Sequence, residues 1–198
     1  MKAGSFLFVA ASLGLGACAK PAPTPAQLQA DSARRNISLE DSTKFTEAQA
    51  RAALSDKTHL SLSAAHGPQI EYASADGHVY LWYPGNNVIL PGTWEVKSAK
   101  YTKRTTRGDQ VTEFAGSLAM NCYRYGGNTY NPVTKSRGSR PECEVASKAN
   151  AANVEVADGD IFGLSQRSEA PFVLTRDIES FAQVRARMPG TSVSARIN

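Results

Sequence analysis

The sequence predicts a mainly β domain: an antiparallel meander forming a small barrel or sandwich, with one short helix before it and one after. Three observations carry this prediction. Short runs of β-branched and aromatic residues, separated by turn residues, recur from His59 to Leu174. No helical stretch long enough for a crossover lies between them, which favours antiparallel pairing over βαβ units. Asp76-Gly77 stands between two such runs, where Asp-Gly marks a tight hairpin whose turn positions need positive φ. Of the two architectures, the barrel is the first choice.

The chain opens with Lys2, an apolar stretch from Phe6 to Leu13, and small residues up to Cys18, which is the layout of a secretory signal. The stretch falls short of the roughly 20 apolar residues that a membrane-spanning helix needs. Leu15-Gly16-Ala17-Cys18 resembles the lipobox of bacterial lipoproteins, with Gly16 where Ala or Ser is commoner. The resemblance implies a signal peptide over 1–17, cleavage before Cys18, and acylation of Cys18. A single acyl chain holds a protein only marginally, whereas the several chains that such proteins carry give a durable anchor. Ala19, rather than Asp, follows Cys18, so the resemblance implies the outer membrane rather than the inner.

Removing 17 of the 198 residues leaves 181, enough for one domain and a tether. Of 22 Lys and Arg against 18 Asp and Glu only Lys2 is lost, so the net charge falls from +4 to +3. That balance suits contact with anionic headgroups or acidic glycans. Export argues against nucleic acid as a partner. Residues 18–44 read as the lipidated Cys and a Pro- and Ala-rich tether, since Pro21-Ala22-Pro23-Thr24-Pro25 favours an extended chain. Residues 26–35 would tolerate a helix on a thin apolar pattern. Asn36-Ile37-Ser38 matches a glycosylation sequon, accidental in a bacterial lipoprotein.

The domain itself is read as 45–198. Thr46 caps a helix over about 46–54, with Gln49 as its capping-box partner. Phe45, Ala50, Ala53 and Leu54 give that helix an apolar face to lay on a sheet. Strands follow at Leu60 to Ser63, Ile70 to Ala73 and His78 to Tyr83, then at Val88 to Leu90 before a Pro91-Gly92 turn, and at Thr93 to Val96. More are expected at Val111 to Ala115, Leu118 to Tyr125, Glu142 to Ala146, Val154 to Val156, Ile161 to Leu164 and Phe172 to Leu174. Ile178, Phe181, Ala182 and Arg185 recur at helical spacing, so a second helix is expected over about 178–188, capped by Asp177 and ended by Pro189-Gly190.

With Cys18 lipidated, Cys122 and Cys143 remain as an even pair in an oxidising compartment and are expected to be bonded. The loop they close would be held by about 3 kcal/mol in the chain-entropy account. It offers a candidate binding surface: Tyr123, Tyr125 and Tyr130 as stacking faces, with Arg124, Lys135, Arg137 and Arg140 as donors for carboxylate or phosphate. The alternative is that these tyrosines pack on the sheet and the basic residues are simply solvated. A second basic cluster, Lys97, Lys100, Lys103, Arg104 and Arg107, reads as a long strand or hairpin end kept soluble by charge.

The sequence predicts no enzyme. His59, His66 and His78 share no metal-ligand spacing, and neither a nucleophile elbow nor a phosphate loop is present. No catalytic, cofactor-binding or metal-ligating residues are assigned, and no cofactor is expected. Asp158-Gly159-Asp160 lacks the continuation of a calcium loop and reads as a turn. Asp76 and His78 could form an acid–base pair but stand where side chains point outward.

Asp76-Gly77, Pro91 to Val96, Cys122-Tyr123 and Gly159 to Phe162 resemble, in this order, a family of small exported domains of unknown function from alphaproteobacteria. The resemblance spans roughly 59–174 and implies a fold but no activity. The expected function is a non-catalytic binding or accessory role at the membrane surface, on a lipid-anchored envelope protein. Its expected partners are the membrane, an anionic glycan or lipid headgroup, or another envelope protein. A structural subunit of an envelope assembly is the alternative, and a lipocalin-like small-ligand barrel or an unrecognised hydrolase comes third. A cavity-type binder should show an enclosed pocket, a subunit a contiguous apolar patch, and an enzyme titratable groups converging in one cleft.

Overall fold

A computed structural model of the protein describes residues 24–28 and 37–189. The signal segment, Cys18 and Asn36 lie outside the described residues. Helices α1 (Leu39–Ser42) and α2 (Glu47–Leu54) come first among the labelled elements. Five strands follow: β1 (Lys57–Ser63), β2 (Gly67–Ala73), β3 (His78–Trp82), β4 (Ile89–Arg107) and β5 (Gln110–Tyr125). The short pair β6 (Tyr130–Asn131) and β7 (Ser136–Arg137) precedes β8 (Glu142–Val145), α3 (Ala146–Ala152) and β9 (Asn153–Asp158). A 3-10 turn (Leu164–Gln166) and α4 (Phe181–Arg187) complete the chain. The domain is mainly β, with seven strands in one antiparallel sheet ordered β8-β5-β4-β3-β2-β1-β9.

The link from β8 to β9 determines the shape of that sheet. These two strands are its opposite edges, and laid flat they would stand about 29 Å apart, six spacings of ~4.8 Å. Yet α3 joins them with seven residues, about 10 Å of helix, and touches β1, β5, β8 and β9. The sheet therefore curls until its edges nearly meet, and α3 fills the gap between them. It is not closed into a barrel, because β8 and β9 do not pair. Helix α3 is not among the elements expected from the sequence: Ala146-Ser147-Lys148-Ala149-Asn150-Ala151-Ala152 carries helix-forming alanines but no side-chain cap to announce its start.

Alternation along the strands divides the apolar residues between two cores. Inside the curl, Ala73, Val79, Trp94, Val96 and Ala119 pack with Ala50 and Leu54 of α2 and Ala146 of α3. The Thr46 and Gln49 capping box starts α2 as expected. On the outer face, Leu60, Ile70, Trp82 and Ile89 are covered by Phe162, Leu164, Leu174 and Val184. Both indole N–H groups find carbonyls, Trp82 at Phe172 (3.1 Å) and Trp94 at Ser74 (3.0 Å). Leu28, in a helical turn over 25–28 opened by Thr24, joins the outer core and is buried, as is Ser42. Both residues fall within the stretch that the sequence reads as tether.

Several sequence expectations are corrected. Ile161 to Leu164 and Phe172 to Leu174 are not strands, since the outer face of β1–β3 needs cover more than β9 needs a neighbour. Asp160 turns the chain there by accepting the backbone N–H groups of Leu164 (2.7 Å) and Ser165 (2.8 Å), and Gly163 takes φ 63°. The last helix is capped by Ser180 with Gln183, not by Asp177. Only Gly77 has positive φ (90°) in the connection between β2 and β3. The two segments expected at Val111 to Ala115 and Leu118 to Tyr125 form one strand, whose hairpin with β4 runs past the sheet for about 24 Å from the Lys100–Ser117 pair to Arg107–Gln110.

Pro91-Gly92 is not a turn but lies inside β4, paired with Tyr80 and Val79 of β3. A Cβ at Gly92 would stand 2.6 Å from the Arg124 carbonyl oxygen and 2.9 Å from Tyr125 Cδ1. Glycine is required here because the Tyr125 ring crosses β4 at this point. Gly92→Ala is expected to lower unfolding stability by about 1–3 kcal/mol, the usual cost of overpacking, which urea denaturation would measure.

Candidate functional site

The curl holds a cavity of about 570 Å³ that opens to solvent, the size of a small-molecule site. Alternate residues of the strands point into it: His59, Ser61 and Ser63 from β1, Gln69 and Glu71 from β2, and Asn121, Tyr123 and Tyr125 from β5. The residues between them, such as Leu60 and Ile70, belong to the outer core. β8 contributes Glu142 and Glu144 along one edge, and α2 and α3 form the cover.

Glu71 is the central group. It accepts a hydrogen bond from the Tyr125 hydroxyl at 2.8 Å, a contact that spans β4 and β3 and is open only because Gly92 has no side chain. No cation pairs with it among the described residues. Burial pushes its carboxyl up to about 7, with the Glu144 charge adding to the rise and the Tyr125 bond opposing it. Burial also raises Glu144, and it holds the phenols of Tyr123 and Tyr125 well above their ordinary value. Glu142 goes the other way. Burial alone would raise it, but hydrogen bonds from Ser136, Thr134 and Asn131 outweigh that and lower it.

His59 is buried beside Glu71 in the β1–β2 register. Its Nε2–H donates to the Ala53 carbonyl at 2.8 Å, and burial lowers its pKa. Among the described residues the other nitrogen, Nδ1, has no partner, and neither has Oδ1 of the buried Asn121. His66 contacts the Tyr83 hydroxyl through Nδ1 at 3.0 Å and is likewise lowered by burial. Titratable groups with displaced pKa values do converge here, which enzymes also show. The hydroxyl that meets an imidazole here is the phenol of Tyr83, on His66, whereas His59 bonds to a backbone carbonyl.

The predicted binding surface is divided by the fold. Tyr123, Tyr125, Tyr130 and Arg140 line the cavity, Tyr130 and Arg140 at exposed positions. Arg124 points to the outer face, into a smaller hollow with Thr93, Glu95 and Pro141. Lys135 (φ 55°) and Arg137 sit on the exposed loop, which Glu142 organises. Cys122 and Cys143 are bonded, S–S 2.04 Å, directly across β5 and β8, and tie the strand bearing Glu142 and Glu144 to the sheet. His78 meets Asp76 at 3.1 Å on an exposed turn away from the cavity.

Sequence reasoning did not single out Glu71, Glu142, Glu144 or Asn121. The signal available was polar residues on the second face of strands whose first face is apolar, as in His59-Leu60-Ser61 and Gln69-Ile70-Glu71. Comparison of the chain with protein-family models, curated proteins and solved structures finds no match.

Because Glu71 binds its proton more tightly folded than unfolded, its contribution is favourable at low pH and is lost as pH rises toward 7. Glu71→Gln keeps an acceptor for Tyr125 without the charge. The variant is expected to match the wild type near pH 4.5 and to exceed it by roughly 2 kcal/mol at pH 8 in urea denaturation.

Proposed function

We propose that this is a lipid-anchored protein of the cell envelope with a non-catalytic binding role, holding a small ligand in the cavity inside its curled sheet. The cavity, open to solvent on one side rather than enclosed, supports the reading. At about 570 Å³ it combines apolar and aromatic walls with a few convergent polar groups, the make-up of a ligand site. The anchor rests on Leu15 to Cys18, and Ala19 in place of Asp favours the outer membrane over the inner. Likeness to small exported alphaproteobacterial domains belongs to the same proposal and adds no activity.

A second reading, a subunit of an envelope assembly, is favoured by the β4–β5 ribbon. Its distal part projects from the sheet with both edges unpaired, which is a surface another chain could extend. Lys100, Lys103, Arg104 and Arg107 oppose self-association along those edges.

The anchor is tested by intact mass and membrane fractionation of the native protein beside Cys18→Ser. The wild type is expected to be heavier than its cleaved chain by several acyl groups and to leave the membrane only with detergent, while the variant becomes soluble. Soluble forms of both, at the mass of a simply cleaved chain, would refute it.

A further inference from the structure

Among the described residues, two of those lining the cavity carry a buried side-chain acceptor with no hydrogen-bond partner, just behind the cavity surface. Asn121 and His59 are 3 % and 4 % exposed. Asn121 Oδ1 has no donor. His59 spends its ring hydrogen on the Ala53 carbonyl through Nε2, so Nδ1 of the neutral ring presents a lone pair, also without a donor. Each is a cross-strand neighbour of a carboxylate. His59 pairs with Glu71 on β1 and β2, and Asn121 pairs with Glu144 on β5 and β8. Directly opposed residues stand about 5 Å apart at Cβ, close enough for one ligand head to reach both members of a pair.

Nothing of opposite sign answers these carboxylates from within. Glu71 has the Tyr125 hydroxyl as its donor, and Glu144 has no hydrogen bond or ion pair among the described residues. Among the described residues, Arg140 is the only lysine or arginine on the wall, and it lies at an exposed position. Between the two acceptor pairs stand Tyr123 and Tyr125, whose ring faces attract cations. A buried acceptor without a donor and a half-buried carboxylate without a cation, as at Glu71, both cost free energy that a donor-bearing cation would recover, while Glu144 stands at an exposed position beside Asn121.

Resting on the ligand-binding reading above, we propose that the cavity takes a small organic ammonium compound, its charged N–H groups meeting the acceptors of His59 with Glu71 or of Asn121 with Glu144, and its apolar body lying against Tyr123 and Tyr125. Glu71 is then the primary counter-ion. Its elevated pKa describes a carboxylate awaiting a positive charge, since a bound cation favours the ionised form.

Three probes of matched shape test this by titration calorimetry on the full-length purified protein at pH 8: 2-phenylethylammonium, neutral 2-phenylethanol and anionic 3-phenylpropionate. The ammonium is expected to bind at least tenfold more tightly than the alcohol, and the anion not at all. Glu71→Gln is expected to weaken the ammonium about tenfold or more, the usual effect of losing a charged hydrogen-bond partner, and to leave the alcohol unchanged. Glu144→Gln gives a second reading of the same charge should Glu71→Gln fail to fold. Equal binding of alcohol and ammonium, or tighter binding of the anion, would overturn the cation inference and leave the cavity as a binding site. Absence of binding by all three would overturn both.

Discussion

Seven residues of helix join the two outermost strands of a seven-stranded sheet, and a flat sheet would hold those strands almost three helix-lengths apart. The sheet must curl, and the helix that enforces the curl also stands in the gap it leaves. Everything else about the interior follows. Side chains that alternate along each strand are sorted into a concave set and a convex set. The concave set of β1, β2 and β5 is brought across the curl toward the edge strand β8. The hydrogen bond from Tyr125 to Glu71 shows how closely this is built, because it depends on one strand in between offering a residue with no side chain at Gly92.

The two faces of the sheet obey different rules. The convex face behaves as an ordinary core: Leu60, Ile70 and Trp82 are buried, Trp82 meets Phe162 and Phe172 edge-on, and its indole donor is satisfied. The concave face keeps carboxylates, a neutral imidazole and an amide where apolar residues would pack more favourably. Local departures of this kind are expected where a protein does something other than fold. The disulfide has a matching position, since it secures the four-residue edge strand that would otherwise be weakly held and that carries two of the carboxylates.

Legibility in the sequence followed locality. The capping box of α2 and the turn at Gly77 rest on short-range chemistry and could be read from neighbouring residues. The strands next to them were read for the same reason. The cysteine pair was read instead from the cysteine count in an exported chain. Pro91-Gly92 was misread because its glycine answers to Tyr125, more than thirty positions away. Ile161 to Leu164 has the alternation of a strand, but a packed outer face claims it. The candidate site was the least legible. Glu71 and Glu144 are far apart in the chain and come into one cavity only through the curl, which depends in turn on a helix with no capping signal. The tyrosines of the predicted surface were found, but the cations expected beside them lie elsewhere or at the rim.

The burial of Leu28 bears on how far the domain stands from its support. Thr24, which opens the helical turn holding Leu28, is six residues from Cys18, and six residues span at most about 20 Å even when fully extended. With Cys18 as the anchor proposed above, the folded body begins within that distance of the lipid. The near end of the folded body then stands two to three Debye lengths from the bilayer at most, at physiological ionic strength. On an anionic bilayer the adjoining layer of water is enriched in positive solutes, so the tether's shortness would itself raise the concentration of an ammonium ligand at the protein.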